Sequence, residues 1–83
     1  MSELNLEIIS AKGPIFIGDC HMAVVPSIEG DVGIMKDHES IIAKLKEGTI
    51  TIHDKQQNII KEVEVKSGYA EMATADKLIV LLD

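Results

Sequence analysis

Apolar and polar residues alternate with a period of two along much of this chain, and that spacing predicts strands with one face buried. Leu4-Asn5-Leu6-Glu7-Ile8 opens the pattern, Thr49-Ile50-Thr51-Ile52-His53 repeats it, and Val63-Glu64-Val65-Lys66 returns with it after a polar stretch. Shorter strands are expected over residues 15–17, 20–25, 32–35, 69–74 and 78–82, the last apolar on both faces. Residues 41–45 fit either a strand or one turn of helix, because so short a run carries no decisive period. Turn chemistry separates these runs at Ala11-Lys12-Gly13-Pro14, Lys36-Asp37-His38-Glu39, Glu47-Gly48, Asp54-Lys55-Gln56-Gln57-Asn58 and Ala75-Asp76. Gly18-Asp19 is expected to break a strand, Pro26 to end one, and Ser67-Gly68 to mark a kink or bulge. About ten short strands with regular turn signals describe an all-β fold, a β-sandwich or flattened barrel.

The stretch from Val24 to Ile34 is the most informative. Two β-branched residues run into Pro26, an acidic turn with Gly30 and Gly33 follows, and a second apolar run begins. It reads as strand, acidic exposed tip, strand.

Composition agrees. Thirteen Ile and six Val stand against Phe16, Tyr69 and no Trp. Such β-branched enrichment suits pleated, half-buried surfaces better than helices. Eighty-three residues make one domain, residues 1–83, in which every strand must serve a single core.

Eight Lys and no Arg against fourteen acidic residues give a net charge of −6. Nucleic acids and anionic lipids are poor partners for such a surface, since phosphate contacts draw on Lys and Arg. Proteins are the expected partners. A lone Cys20 fits a reducing compartment. Met1-Ser2-Glu3-Leu4 lacks a basic, then apolar leader, and no run approaches the roughly 20 apolar residues of a membrane span. The chain is therefore expected inside the cell, with membrane association only through a partner.

Candidate chemistry is sparse. Cys20 and His21 are neighbours on an expected strand, so their side chains leave opposite faces and cannot share an ion. Nothing resembles Cys-x-x-Cys, His-x-His or a spaced carboxylate loop, so neither metal nor cofactor is expected. Cys20 with a histidine could in principle form a nucleophile, but no nucleophile elbow exists, and a small buried hydrophobe is the plainer reading. Asp37-His38-Glu39 reads as a solvated turn or an interface. Gly30-Asp31-Val32-Gly33 matches a bare Gly-x-x-Gly, yet it is acidic and lies between strands, which excludes a phosphate cradle.

Taken together, several segments resemble the N-terminal domain of the epsilon subunit of F-type ATP synthases. They are Leu6-Glu7-Ile8-Ile9-Ser10, Phe16-Ile17-Gly18, Val24-Val25-Pro26, Glu29-Gly30-Asp31-Val32-Gly33-Ile34, His38, Leu45-Lys46-Glu47-Gly48-Thr49-Ile50-Thr51-Ile52, Ser67-Gly68-Tyr69-Ala70-Glu71-Met72 and Leu78-Ile79-Val80-Leu81-Leu82-Asp83. Departures fall in turns: Lys36-Asp37 stands where the family often has Pro-Gly, Glu39-Ser40 where it has Ala-Pro, and Gly68-Tyr69 where it has paired glycines.

The resemblance implies a flattened sandwich of two five-stranded sheets. It implies a non-catalytic rotor subunit of the proton-translocating enzyme, linking the gamma subunit to the membrane c-ring, with no nucleotide, nucleic acid or membrane insertion of its own. The location implied is the bacterial cytoplasm, peripheral on the inner face of the cell membrane. The loop of Ile28, Glu29, Gly30, Asp31, Val32 and Gly33 would face the c-ring. His38, Ser40, Ile41 and Ile42 would lie towards gamma. The plainer alternatives are a solvated hairpin tip for Glu29 and Asp31, and ordinary core for one of Ile41 and Ile42. Complete epsilon subunits usually continue into an inhibitory helical hairpin. A chain ending at Asp83 is expected to lack that inhibition and any nucleotide sensing tied to it. The rival reading is a stand-alone small β-barrel binding a small ligand.

Overall fold

Nine strands follow one another, with no helix, over the described residues 3–83 of this computed structural model. Met1 and Ser2, part of the stretch read as lacking a leader, lie outside them. The strands are β1 (Leu4–Ser10), β2 (Gly13–Cys20), β3 (Met22–Ser27), β4 (Gly30–Met35), β5 (Ile42–Leu45), β6 (Gly48–His53), β7 (Ile59–Val65), β8 (Gly68–Thr74) and β9 (Lys77–Leu82). Alternation decides their faces. Leu4, Leu6 and Ile8 of β1 are fully buried, as are Ile50 and Ile52 of β6, while the residues between them stay partly accessible.

All nine strands belong to one hydrogen-bonded path, β2-β1-β9-β8-β5-β3-β6-β7, with β4 on the far side of β3. The link between β5 and β3 is a single register pair, Ser27 with Leu45. The path therefore divides into a five-stranded sheet, β2-β1-β9-β8-β5, and a four-stranded sheet, β4-β3-β6-β7, hinged at that corner. Inward side chains of both sheets form one cluster. It joins Leu6, Ile8, Leu78 and Val80 from the first sheet to Val25, Ile34, Ile50 and Ile52 from the second. This is the sandwich expected from the pattern, with nine strands.

Several local expectations are corrected. Pro26 does not end its strand: β3 continues to Ser27, and Pro26 pairs with Asp31 on β4. On its other edge β3 leaves β6 after Val24 and meets β5 only at Ser27, so the missing N–H of Pro26 falls where no partner strand requires it. Gly18-Asp19 does not break β2, which runs on to Cys20, and the chain bends at His21 instead. Gly18 is extended and paired with Leu6, with the Phe16 ring lying over its bare face. Of residues 41–45, which fitted a strand or a helical turn, Ile42–Leu45 resolve as a strand, β5.

Gly68, read as a kink, begins β8 against β9, where any Cβ would run into the Leu81 carbonyl oxygen. The β6–β7 hairpin closes on Asp54, whose carboxylate accepts backbone N–H bonds from Asn58 and Gln56. Those bonds, Asn58 first, hold its pKa below the usual carboxylate value.

Ile52→Ala should cost about 3 kcal/mol, because it leaves a cavity in a fully buried layer. Gly68→Ala should cost at least about 2 kcal/mol, since its obstacle is backbone and cannot rotate away. Urea denaturation of each variant, with an unchanged m-value, is the check.

Candidate functional site

The β3–β4 hairpin turns in only two residues, Ile28 and Glu29. Ser27 makes so tight a reversal possible. Its hydroxyl, almost wholly buried, accepts from the Glu29 N–H at 3.1 Å and donates to the Gly30 carbonyl at 2.7 Å. Gly30 then leaves the turn at φ +123°, a conformation other residues rarely adopt. The tip is also tied sideways to the strand beside it. The Ile28 N–H donates to the Lys44 carbonyl and the Lys46 N–H to the Pro26 carbonyl, each at 2.9 Å.

The loop expected over residues 28–33 is thus a two-residue turn followed by paired strand, with Gly30 through Gly33 already on β4. Ile28 is 58% exposed, Glu29 and Asp31 are exposed, and Val32 packs on the core.

The segment from Lys36 to Ile41 is irregular but fixed. Asp37 takes φ +68°, within the range that Asp tolerates, and its N–H donates to the Ala75 carbonyl at 2.7 Å. His38 donates its N–H to the Met35 carbonyl, and its ring Nδ1 lies 2.8 Å from the Glu39 carbonyl. A carbonyl only accepts, so Nδ1 carries the hydrogen. Ile41 turns inward to the core, while Ile42 is 72% exposed.

Two shallow grooves flank this segment. One, about 280 Å³, brings Ile28, Glu29 and Val32 of the hairpin together with Ile41, Ile42 and Lys44. The two sets that the sequence assigned to different partners meet there. His38 and Ser40 stand apart from it, opening onto a second groove of about 270 Å³ with Met72 and Thr74.

Ile42 also begins an apolar surface that residue-by-residue reading missed. Across the outer face of the five-stranded sheet, the register lines up Ile42, Glu71, Ile79, Glu7 and Ile17 in one row. Lys44, Tyr69, Leu81, Ile9 and Pro14 form the next. Ile17, Tyr69 and Leu81 are each more than half exposed. Patches of this kind mark places where a partner sits. The signal in the sequence was the final strand, apolar on both faces. Ser27 was missed as well, although serine ahead of a tight turn is a recognised device for closing one.

Chemistry elsewhere is muted. Cys20 is buried, and burial, with Glu3 and Asp19 adding to it, pushes its thiol up to about 11. Such a thiol stays protonated near neutrality and is a poor nucleophile. Among the described residues no three His, Cys, Asp or Glu side chains gather where a metal ion could be held.

The family model for the ATP synthase delta/epsilon chain beta-sandwich domain matches residues 3–83. The chain belongs to that family. The ATP synthase epsilon chain of Campylobacter curvus is 37% identical over 83 residues, which cover all of this chain and 63% of that relative. The epsilon chain of Sulfurimonas denitrificans is 34% identical, with 100% of this chain and 62% of the relative covered. This chain thus spans rather less than two thirds of the length of these relatives. In fold it is similar to a chain of the Euglena gracilis mitochondrial ATP synthase assembly of OSCP, F1 and c-ring, with a TM-score of 0.87 at 13% identity over 99% of this chain and 51% of that one. A chain of the Tetrahymena thermophila mitochondrial ATP synthase central stalk and c-ring gives a TM-score of 0.76 at 8% identity, covering 95% and 62%.

The raised thiol pKa carries a sign. The unfolded thiol ionises at its ordinary value while the folded one keeps its proton, so stability falls as pH rises from about 9 to 11. Denaturation midpoints across that window should drop for the native chain and drop less for Cys20→Ala. Ser27→Ala should cost about 1 kcal/mol and speed amide exchange at Glu29, read by hydrogen–deuterium exchange.

Proposed function

We propose that this domain is the non-catalytic β-sandwich of an epsilon-type rotor subunit. It links the gamma subunit to the membrane c-ring of a proton-translocating ATP synthase. The observation that carries this reading is the family match running unbroken from residue 3 to 83. The geometry supports it by offering two surfaces on one stiff body. The acidic tip of Ile28, Glu29, Gly30, Asp31, Val32 and Gly33 is held by bonds to both flanking strands and serves the polar loops of the ring. Ile42, with Ile41 behind it, opens onto the apolar outer face and serves gamma, together with His38 and Ser40 on the second groove.

A coupling element has to be rigid, because torque lost in bending is lost to synthesis. Hydrogen bonding of the tip on two edges supplies that rigidity. On this reading the domain sits on the inner face of the bacterial membrane through its partners; no helix of the described residues is long and apolar enough to cross a membrane. A barrel that encloses a small ligand is disfavoured, since side chains of both sheets meet in one packed cluster where such a ligand would lie.

Gel filtration with the cognate gamma subunit at micromolar concentration should show co-elution, and separate elution would refute the rotor reading. Replacing both Glu29 and Asp31 by Lys should weaken ATP-driven proton pumping in reconstituted vesicles. Circular dichroism of the domain should stay unchanged, because exposed charges contribute below about 1 kcal/mol. Undiminished pumping would mean the two carboxylates only solvate the tip.

A further inference from the structure

We infer that the outer face of the five-stranded sheet docks an apolar partner surface that carries one basic side chain, and that this side chain pairs with Glu71. The inference rests on the gamma reading above and sharpens it to a specificity residue. Glu71 is the exposed carboxylate nearest the middle of the apolar face. On β8 it lies between Ile42 of β5 and Ile79 of β9, with Tyr69 two residues along the same strand. The other carboxylate of that row, Glu7, is already held by Lys77 at 3.0 Å. Lys44 belongs to the neighbouring row, opposite Tyr69, and among the described residues no cation pairs with Glu71 within 4 Å.

In the free domain water solvates this carboxylate. A partner covering Ile42, Tyr69, Ile79 and Leu81 strips that water away. A carboxylate buried without a partner opposes association strongly, whereas one that meets a cation fixes register and selects the partner. A second copy of this chain is a poor occupant, because its net charge of −6 would meet its own kind. A surface with Lys or Arg opposite Glu71 satisfies the geometry.

The sign of one substitution tests this. Cognate gamma is titrated against the native chain and against Glu71→Gln, Glu71→Leu and Glu7→Gln, at low and high salt. Glu71 is exposed, so its variants keep their fold, and circular dichroism checks that. With a cation opposite, both Glu71 variants lose at least about tenfold in affinity, and the salt dependence of binding flattens. Glu7→Gln changes affinity by less than about fivefold. If the face meets a partner with no cation there, Glu71→Leu binds as tightly as the native chain or tighter, and the inference is overturned while the gamma reading stands. A native chain that does not bind gamma overturns both.

Discussion

One strand with three neighbours holds this structure together. Along one edge β3 pairs with β4 over its whole length, and along the other it pairs first with β6 and then, beyond Pro26, with β5. A sheet that changes partner on one edge must turn there. Proline suits that point because it has no N–H to leave unsatisfied between departing β6 and arriving β5. Its carbonyl is still used, by Lys46. Packing confirms how closely the corner is drawn. Gly48, where β6 begins, lies so near the Pro26 ring that an added Cβ would come within 2.8 Å of it. Without this corner the two sheets would have no shared edge, and Leu45 and Ile50 would not bury against the same core.

The corner also joins the acidic tip to the apolar outer face. The residues just past Pro26 form the acidic tip, and the strand that receives β3 there is β5, which carries Ile42 and Lys44 on its outer side. Load applied at Ile28 reaches Lys44 through a single backbone hydrogen bond and crosses from β5 to β8 through a four-residue register. The path contains no side-chain joint that could swing. Exposed charge on the tip and exposed aliphatic surface on β5 are thereby fixed in mutual orientation by backbone alone.

Strand existence was legible because apolar and polar residues alternate so cleanly in β1, β6 and the second half of β7. Partner order was not, since alternation says which face of a strand is buried and nothing about its neighbour. Two misreadings share a cause. Pro26 and Gly18 were taken as interruptions from intrinsic preference, yet one sits where a donor is superfluous and the other under the Phe16 ring, and tertiary context overrode both. Ser27 went unnoticed because its role depends on a turn of two residues, and sequence alone suggested a longer loop. The Ile41 and Ile42 ambiguity resolved as strand parity requires, one inward and one out. That Ile42 continues into Tyr69, Leu81 and Ile17 could be seen only once register placed four distant segments side by side.

The order of the five-stranded sheet has a consequence in time. β9, which follows the other eight strands in this domain, lies between β8 and β1, antiparallel to one and parallel to the other. Until residues 77–82 arrive, the β1–β2 hairpin and the β5–β8 pair share no edge, and the core lacks Leu78 and Val80. A growing chain can form hairpins early, but it cannot close its sandwich before residues 77–82 have left the ribosome. Non-local pairing of that kind is slow. Until then the nascent domain keeps strand edges open, and the charges of Lys61, Glu62 and Glu64 along β7 oppose pairing with another chain in that interval as well as solvating the finished fold.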